Sequence, residues 1–363
     1  MEKKQLSIRL LDHEKRQIKI LQKQYGYKTI TDYLIAASLN KLRQDKTYQR
    51  VVTLSLSPAI DYIINFKTSK LVQHQPNQFI GDDKYFVAAG KGIHESIILD
   101  RFGVQTLTLH YSGGFTGDYL KKHIDLIGLE QIQYKSDEDT RINLKLNFTN
   151  QNSKINYEIS EIPPAINETA KYKILKQISL LNKNEILTIA GSFNSKDEKF
   201  VEDICIEATN KKVNLVFDLS SIYILQLLKY KPYLIKPNKF ELEHILNLTI
   251  NTEKKLLLAM EKLQKKGAQN IIVSLGAKGS ILLTTKGEFY KAEIISPIKA
   301  ISPQGSGDAL VGTFLAKKNL SSIEEQFRWA NAAGAATACS MTIAELSEII
   351  PMLENIKITK LEL

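Results

Sequence analysis

The residues best suited to chemistry are Gly305, Ser306, Gly307 and Asp308, which stand directly before the apolar run Ala309 to Leu315. Small residues ahead of a helical pattern place unpartnered backbone N–H groups at a helix N-terminus, where the helix dipole also favours negative charge. An acid beside such an anion cradle suits one task, deprotonating a hydroxyl so that it attacks a phosphoryl group. Alone, the stretch reads equally as a glycine turn entering a helix, with Asp308 a solvated first-turn acid. The elements that must position it decide between the two.

Val51 to Leu56 is a β-prone apolar run ending in Ser57-Pro58, the pattern of a buried parallel strand. Asp61 follows at once, where side chains project from the carboxyl edge of a sheet, the ligand crevice of open α/β folds; an acid there is also a common turn residue. Further on, Gly90 and Gly92 flank Lys91 in Ala88-Ala89-Gly90-Lys91-Gly92-Ile93-His94-Glu95-Ser96, which leads into a helical Ile97 to Phe102. The spacing is not that of a P-loop, because the Lys-Ser/Thr ending is missing. Asn238 and Glu241 lie three apart after Pro237 and so share a face of one helical turn. Ser274, Gly276 and Gly279 follow the apolar strand pattern Asn270 to Val273, and Asn331 lies in a Gly/Ala-rich helix near Trp329 to Ala338. Ile142, Leu144, Leu146 and Phe148 alternate with polar residues, the period of a half-buried strand.

A chain of 363 residues, 43% hydrophobic and 24% charged, has room for one large α/β domain and something small. Cys205 and Cys339 form no CxxC or Cys/His cluster, which excludes a disulfide framework or a structural zinc site. Met1 to Leu10 lacks the apolar core of a signal peptide, and no apolar run reaches membrane-spanning length, so a cytoplasmic protein is expected. The net charge of +10 is uneven: residues 1–48 carry 11 Lys/Arg against 5 Asp/Glu. That concentration at one end points to a module that meets a polyanion.

Within that module Leu6, Ile8 and Leu10 alternate with Gln5, Ser7 and Arg9 as a strand, and two short helical patterns follow. A β-α-α unit over residues 1–46, joined by a linker at 47–50, is too small to bury a core alone. The pattern resembles the ribbon-helix-helix DNA-binding family, and that resemblance would make Gln5, Ser7 and Arg9 the base-reading side chains. The alternative is a helical hairpin that docks on its own chain or mediates dimerisation.

From Val51 to the C-terminus the motifs fall in one order. Thr53 to Asp61, Gly90-Lys91-Gly92, Gly113 to Gly117, Thr140-Arg141-Ile142-Asn143 and Ile166-Asn167-Glu168 come first. Gly191-Ser192, Lys236-Pro237-Asn238 with Glu241, Ser274 to Gly279 and Gly305 to Asp308 complete the set. In that order they resemble the ribokinase-like (PfkB) sugar kinases, most of all the fructose-1-phosphate kinases, with tagatose-6-phosphate kinases as near neighbours. The resemblance implies a doubly wound α/β domain over residues 51–363, with a small β-sheet lid from about Ile63 to Phe86 and Ile132 to Tyr157, and a homodimer. It implies ATP-dependent phosphorylation of fructose 1-phosphate to fructose 1,6-bisphosphate. Asp308 would be the base, and Gly305, Ser306 and Gly307 would cradle the transferring phosphoryl group.

By the same resemblance Asp61, Gly90, Lys91, His94 and Arg141 bind the sugar phosphate. Asn238, Glu241, Ser274, Gly276, Gly279 and Asn331 hold ATP, with Mg²⁺ carried through waters by Asn238 and Glu241 and a monovalent cation as a further partner. The chain departs from the family at His94, usually Asn, at Ala89, usually Gly, and at Thr313, usually smaller. An imidazole cannot reproduce the paired donor and acceptor of an amide, and it titrates near neutrality. Those departures leave a third reading, a DNA-binding regulator that senses a sugar phosphate.

Overall fold

The computed structural model describes residues 50–67, 81–149, 154–183, 185–318 and 322–362. The module at 1–46, with Gln5, Ser7 and Arg9, lies outside them. The chain enters through β1 (Val51–Ser55), β2 (Ala59–Lys67), β3 (Asp83–Ala89) and α1 (Lys91–Arg101). It continues through β4 (Thr106–Ser112), α2 (Gly114–Leu126), β5 (Gln131–Lys135), β6 (Ile142–Thr149), β7 (Lys154–Ile159) and α3 (Glu168–Ile178). Next come β8 (Ile186–Gly191), α4 (Glu198–Asn210), β9 (Asn214–Leu219), α5 (Ile224–Leu227), β10 (Leu234–Ile235), α6 (Lys239–Leu246) and α7 (Glu253–Lys265). The last part holds β11 (Asn270–Ser274), β12 (Ser280–Leu283), β13 (Phe289–Ile294), α8 (Ser306–Ala316), α9 (Ile323–Ala338), α10 (Leu346–Met352) and β14 (Ile356–Leu361).

Ten strands form one sheet in the order β14-β13-β12-β11-β10-β9-β8-β1-β4-β5. Its seven strands from β5 to β11 are parallel, and β12 to β14 add an antiparallel edge. β1 is fully buried, Thr53 and Ser55 included, as a central parallel strand covered on both faces must be. Helices α3, α4 and α7 bury their apolar faces on one side of the sheet; α1, α8 and α9 cover the other. Strand order reverses between β1 and β8, so the crevice beyond their carboxyl ends is the topological switch point. The expected doubly wound sheet is present.

α8 is buried from Asp308 to Ala316, which explains why it is apolar all round rather than on one stripe. It is wedged against α1 and α9, and Phe314 at its centre is fully buried.

The smaller sheet runs β3-β2-β6-β7. Two expectations change here. Ile132 belongs to β5, an edge strand of the main sheet paired with β4, so the second lid segment begins only at Ile142. Asp61 does not sit in a turn after β1: Pro58 breaks β1, and β2 starts one residue later with Asp61 inside it, opposite Val87 and Asn143. Alternation in β6 holds, but the half-exposed face is the apolar one. Asn143 and Lys145 are the buried residues, because that face looks toward the main sheet.

Candidate active site

α8 starts at Gly305, whose φ of 73° lies in the left-handed region and where a Cβ would stand 2.5 Å from the Ile343 side chain. A residue with a Cβ would be strained by roughly 1–2 kcal/mol there before the crowding is counted. Three residues on, Asp308 is 7% exposed, and its Oδ2 lies 2.7 Å from His94 Nδ1 on the first turn of α1. The other ring nitrogen, Nε2, is 3.3 Å from the Ala88 carbonyl oxygen. Burial pushes the Asp308 carboxyl up, but the hydrogen bond and charge of His94, with Lys91 and Lys236, outweigh it and leave the acid below its usual range. Burial likewise pushes His94 down, and Asp308, Asp61 and the Ala88 carbonyl outweigh it and leave the imidazole raised.

Across from His94, the lid contributes Asp61. Asn143 donates to Asp61 Oδ1 at 2.8 Å, and Lys145 pairs with Oδ2. A cavity of about 230 Å³ opens between lid and main domain, with Asp61, Ile63, Val87, His94 and Gln304 among the residues on its wall. Arg141 stands at the lid's root, where it donates to the Ser57 and Glu161 carbonyls at 3.2 Å each and to Asn143 at 3.4 Å. Its Nε is buried without a partner. Arg141 therefore ties the lid to the end of β1, with one donor left over.

Lys91 does not line that cavity. Its ammonium donates to Asp218 Oδ1 at 2.8 Å and to Ser220 Oγ at 3.0 Å, and lies 3.8 Å from Glu241. Burial opposes that charge, but Asp218, Glu241 and Asp308 outweigh it and hold the lysine well above its ordinary value. Lys236 adds a second cation 3.4 Å from Asp218, and a Cβ on Gly307 would stand 3.0 Å from the Lys236 ammonium. Two ammonium groups thus flank the start of α8, where an anion would be held.

Asn238 is the N-cap of α6 rather than part of its first turn, and it forms a capping box with Glu241, with both bonds 2.8 Å. The box occupies one Glu241 oxygen; the other accepts from Ser220 at 3.0 Å and faces Lys91. Ser274 ends β11 and is bridged to Asn238. The two glycines after it differ in purpose. A side chain on Gly279 would strike the Ala292 carbonyl at 1.9 Å, so this glycine lets the turn pack on β13. Nothing lies within 4 Å of a Cβ on Gly276, which faces open space. Gly90 caps α1 directly beside Pro58. Asn331 accepts from Ser280 at 2.7 Å and donates to the Phe327 carbonyl at 2.9 Å, so its amide ties α9 to β12.

Four charged groups of this site were given no role in the sequence reading: Asp218, Lys236, Lys145 and Glu95. Lys236 and Lys145 had a signal, since they stand beside Pro237-Asn238 and two residues after Asn143. Asp218 ends an apolar strand, and only sheet closure brings it to Lys91. Glu95 is fully buried with both carboxyl oxygens unpartnered. Burial, then Asp218 and Asp308, pushes its carboxyl up, against Lys91 and Lys236.

Among the described residues no group of three or more His, Cys, Asp or Glu side chains is arranged to hold a metal directly. The two carboxylates that meet Lys91, Glu241 and the buried Asp218 with its unpartnered Oδ2, are oxygen donors of the kind that hold a hard cation through its waters. No helix of the described residues is long and apolar enough to cross a membrane.

Comparison with known proteins agrees with this geometry. Residues 57–348 match the family model described as pfkB family carbohydrate kinase. A 1-phosphofructokinase of Borreliella burgdorferi is 31% identical over 310 residues, covering 85% of this chain and 98% of the relative. A D-tagatose-1-phosphate kinase of Bacillus licheniformis is 28% identical over 86% of this chain and all of that protein. The crystal structure of Escherichia coli phosphofructokinase-2 with fructose-6-phosphate superposes with a TM-score of 0.75, covering 84% of this chain and 98% of that one, at 22% identity. With an acid at a buried helix start, cations on one side of it and a sheet lid on the other, this chain belongs to the PfkB family of carbohydrate kinases.

Proposed function

We propose that the chain phosphorylates fructose 1-phosphate on its free primary alcohol, giving fructose 1,6-bisphosphate and ADP. The observation that carries this reading is Asp308, held at the start of α8 between the lid acid Asp61 and the cations Lys91 and Lys236. Asp308 takes the hydroxyl proton as the alkoxide oxygen forms its bond to the γ-phosphorus and the bond to the β,γ-bridging oxygen breaks. The N–H groups at Gly305, Ser306 and Gly307 face the charge that develops on the transferred group. Asp61 and Asn143 receive sugar hydroxyls, while Arg141 and Lys145 supply the cations for the phosphate already on the sugar. Asn238, Glu241 and Asp218 would hold Mg²⁺, which would supply neutralisation of the triphosphate charge.

A second reading has one observation behind it. The tagatose kinase relative acts on a 1-phosphate, so the competing substrate is tagatose 1-phosphate rather than the 6-phosphate expected above. We further propose a cytoplasmic homodimer. The outer lid face supports it, with Tyr62 stacked on Phe86 and with Phe86, Tyr157 and Ile159 each at least half exposed. Residues 1–46 are proposed to bind duplex DNA; salt-dependent binding, lost in a chain beginning near Thr47, is the expected result, and no binding at low salt would remove the idea.

ADP release with Mg-ATP tests the substrate. Fructose 1-phosphate, tagatose 1-phosphate, fructose 6-phosphate and tagatose 6-phosphate are compared by kcat/KM. The 1-phosphate of fructose should lead. A folded protein that turns over none of them would overturn the kinase reading.

A further inference from the structure

His94 stands where the family pattern has an amide, and its surroundings are those of a cation. Nδ1 faces a carboxylate oxygen at 2.7 Å, and Nε2 faces a carbonyl oxygen at 3.3 Å. Both neighbours only accept hydrogen bonds. A neutral imidazole has a single N–H, so one of its nitrogens would point a lone pair at an oxygen lone pair. With Asp308 ionised, the imidazolium is the form that satisfies both contacts.

We infer that His94 is the charged partner of Asp308, a positioning residue that makes the base of this kinase one half of a buried ion pair. This deepens the proposed function and rests on it. Both ring nitrogens are engaged by protein, so His94 acts on the sugar through Asp308 instead of touching it. One carboxylate oxygen is fixed by the charge-assisted bond, and the other is left for the hydroxyl proton.

The groups around the ring agree with a cation. Asp308 faces it from α8 and Asp61 from β2, where Asp61 is itself paired with Lys145; β3 offers the Ala88 carbonyl. Farther along the cavity wall stand Asp100 and Arg101 of α1, His123 of α2 and Glu345 ahead of α10. Arg101 is bound to Glu345 at 2.7 Å. Lys91 and Lys236 oppose the charge on His94, but both are paired to Asp218. His110 is the internal contrast: more deeply buried, it hydrogen-bonds Ser112 and Gln131 with no carboxylate in direct contact, and burial pushes it down to about 4.

Two measurements test the inference on the full chain. In the first, ¹⁵N spectra of histidine-labelled protein are recorded against pH, with His94 assigned from the His94→Asn variant. Both His94 nitrogens should carry protons at neutral pH, with a midpoint above that of an ordinary imidazole. In Asp308→Asn the midpoint should fall by one pH unit or more, roughly tenfold in proton affinity. A single protonated nitrogen at neutral pH, or a midpoint indifferent to Asp308→Asn, would overturn the proposal. This arm needs no turnover, so it stands even if the substrate assignment fails.

In the second, kcat is followed toward alkaline pH. Wild type should lose activity about tenfold per pH unit above the His94 midpoint. His94→Asn, whose side chain does not titrate, should lose that limb whatever its absolute rate. The same alkaline limb in the variant would contradict the assignment.

Discussion

α1 and α8 open on the same site and are built on opposite terms. α8 carries one charged side chain, Asp308, ahead of an unbroken apolar run, and everything from there to Ala316 is buried. α1 crowds Lys91, His94 and Glu95 into its first five residues, each pointing to a different part of the fold. Lys91 meets Asp218 127 positions later in the chain, and His94 meets Asp308 214 positions later. Local sequence sets what α8 does. What α1 does is set only when the sheet closes and brings β9 and α8 against it.

Stability should therefore respond differently to changes in the two helices. Phe314→Ala, at the packed centre of α8, should cost the most, about 3–5 kcal/mol in denaturant unfolding, because it opens a cavity that rigid neighbours cannot fill. A loss below 1 kcal/mol would mean that α8 is not the rigid member of the pair.

Next comes the contrast between buried histidines. His110 has its pKa lowered to about 4, so between its ordinary value and that pH the unfolded chain binds a proton that the native fold refuses. Stability should fall on the order of 3 kcal/mol as pH drops through this window. His94 has the opposite sign: its raised value contributes stability that is complete below the ordinary imidazole pKa and is lost as pH rises through the folded one. Unfolding curves of His94→Asn and His110→Gln across pH separate the two.

Lys91→Met leaves the fully buried Asp218 with Lys236 alone, at 3.4 Å. Part of the Lys91 side chain reaches solvent, so a loss of about 2 kcal/mol is expected, with a raised KM for ATP. The smallest change should go the other way. Glu95→Met removes two unpartnered buried oxygens and keeps the volume, and should stabilise by about 1–2 kcal/mol. Destabilisation instead would show that Glu95 has a function its contacts do not reveal.

The same contrast explains what could be read in the chain. α8 was legible because its glycines, its acid and its apolar run are contiguous. Of the parallel core strands, β1 and β11 were legible for the same reason, as β-prone apolar runs. The lid was legible as alternation but misplaced at one end, because Ile132 to Lys135 alternates too and only pairing with β4 assigns it to the main sheet. Asp61 was found as a site residue but not as part of a strand, since Pro58 reads as a turn and the next strand begins at Ala59. Asn238 illustrates two roles in one residue: the capping box that a helix start needs also fixes Glu241 toward Lys91. Asp218, Glu95 and the inward face of β6 carry no local pattern that separates them from ordinary strand and helix positions.

The most direct test is formation of fructose 1,6-bisphosphate from Mg-ATP and fructose 1-phosphate, counted by ³¹P NMR, for wild type and Asp308→Asn. The account predicts product from wild type and a kcat lower by about 10²–10⁴ in the variant, with KM for the sugar little changed. A variant that keeps its rate within a few-fold of wild type would contradict Asp308 as the base and, with it, the site built around the start of α8.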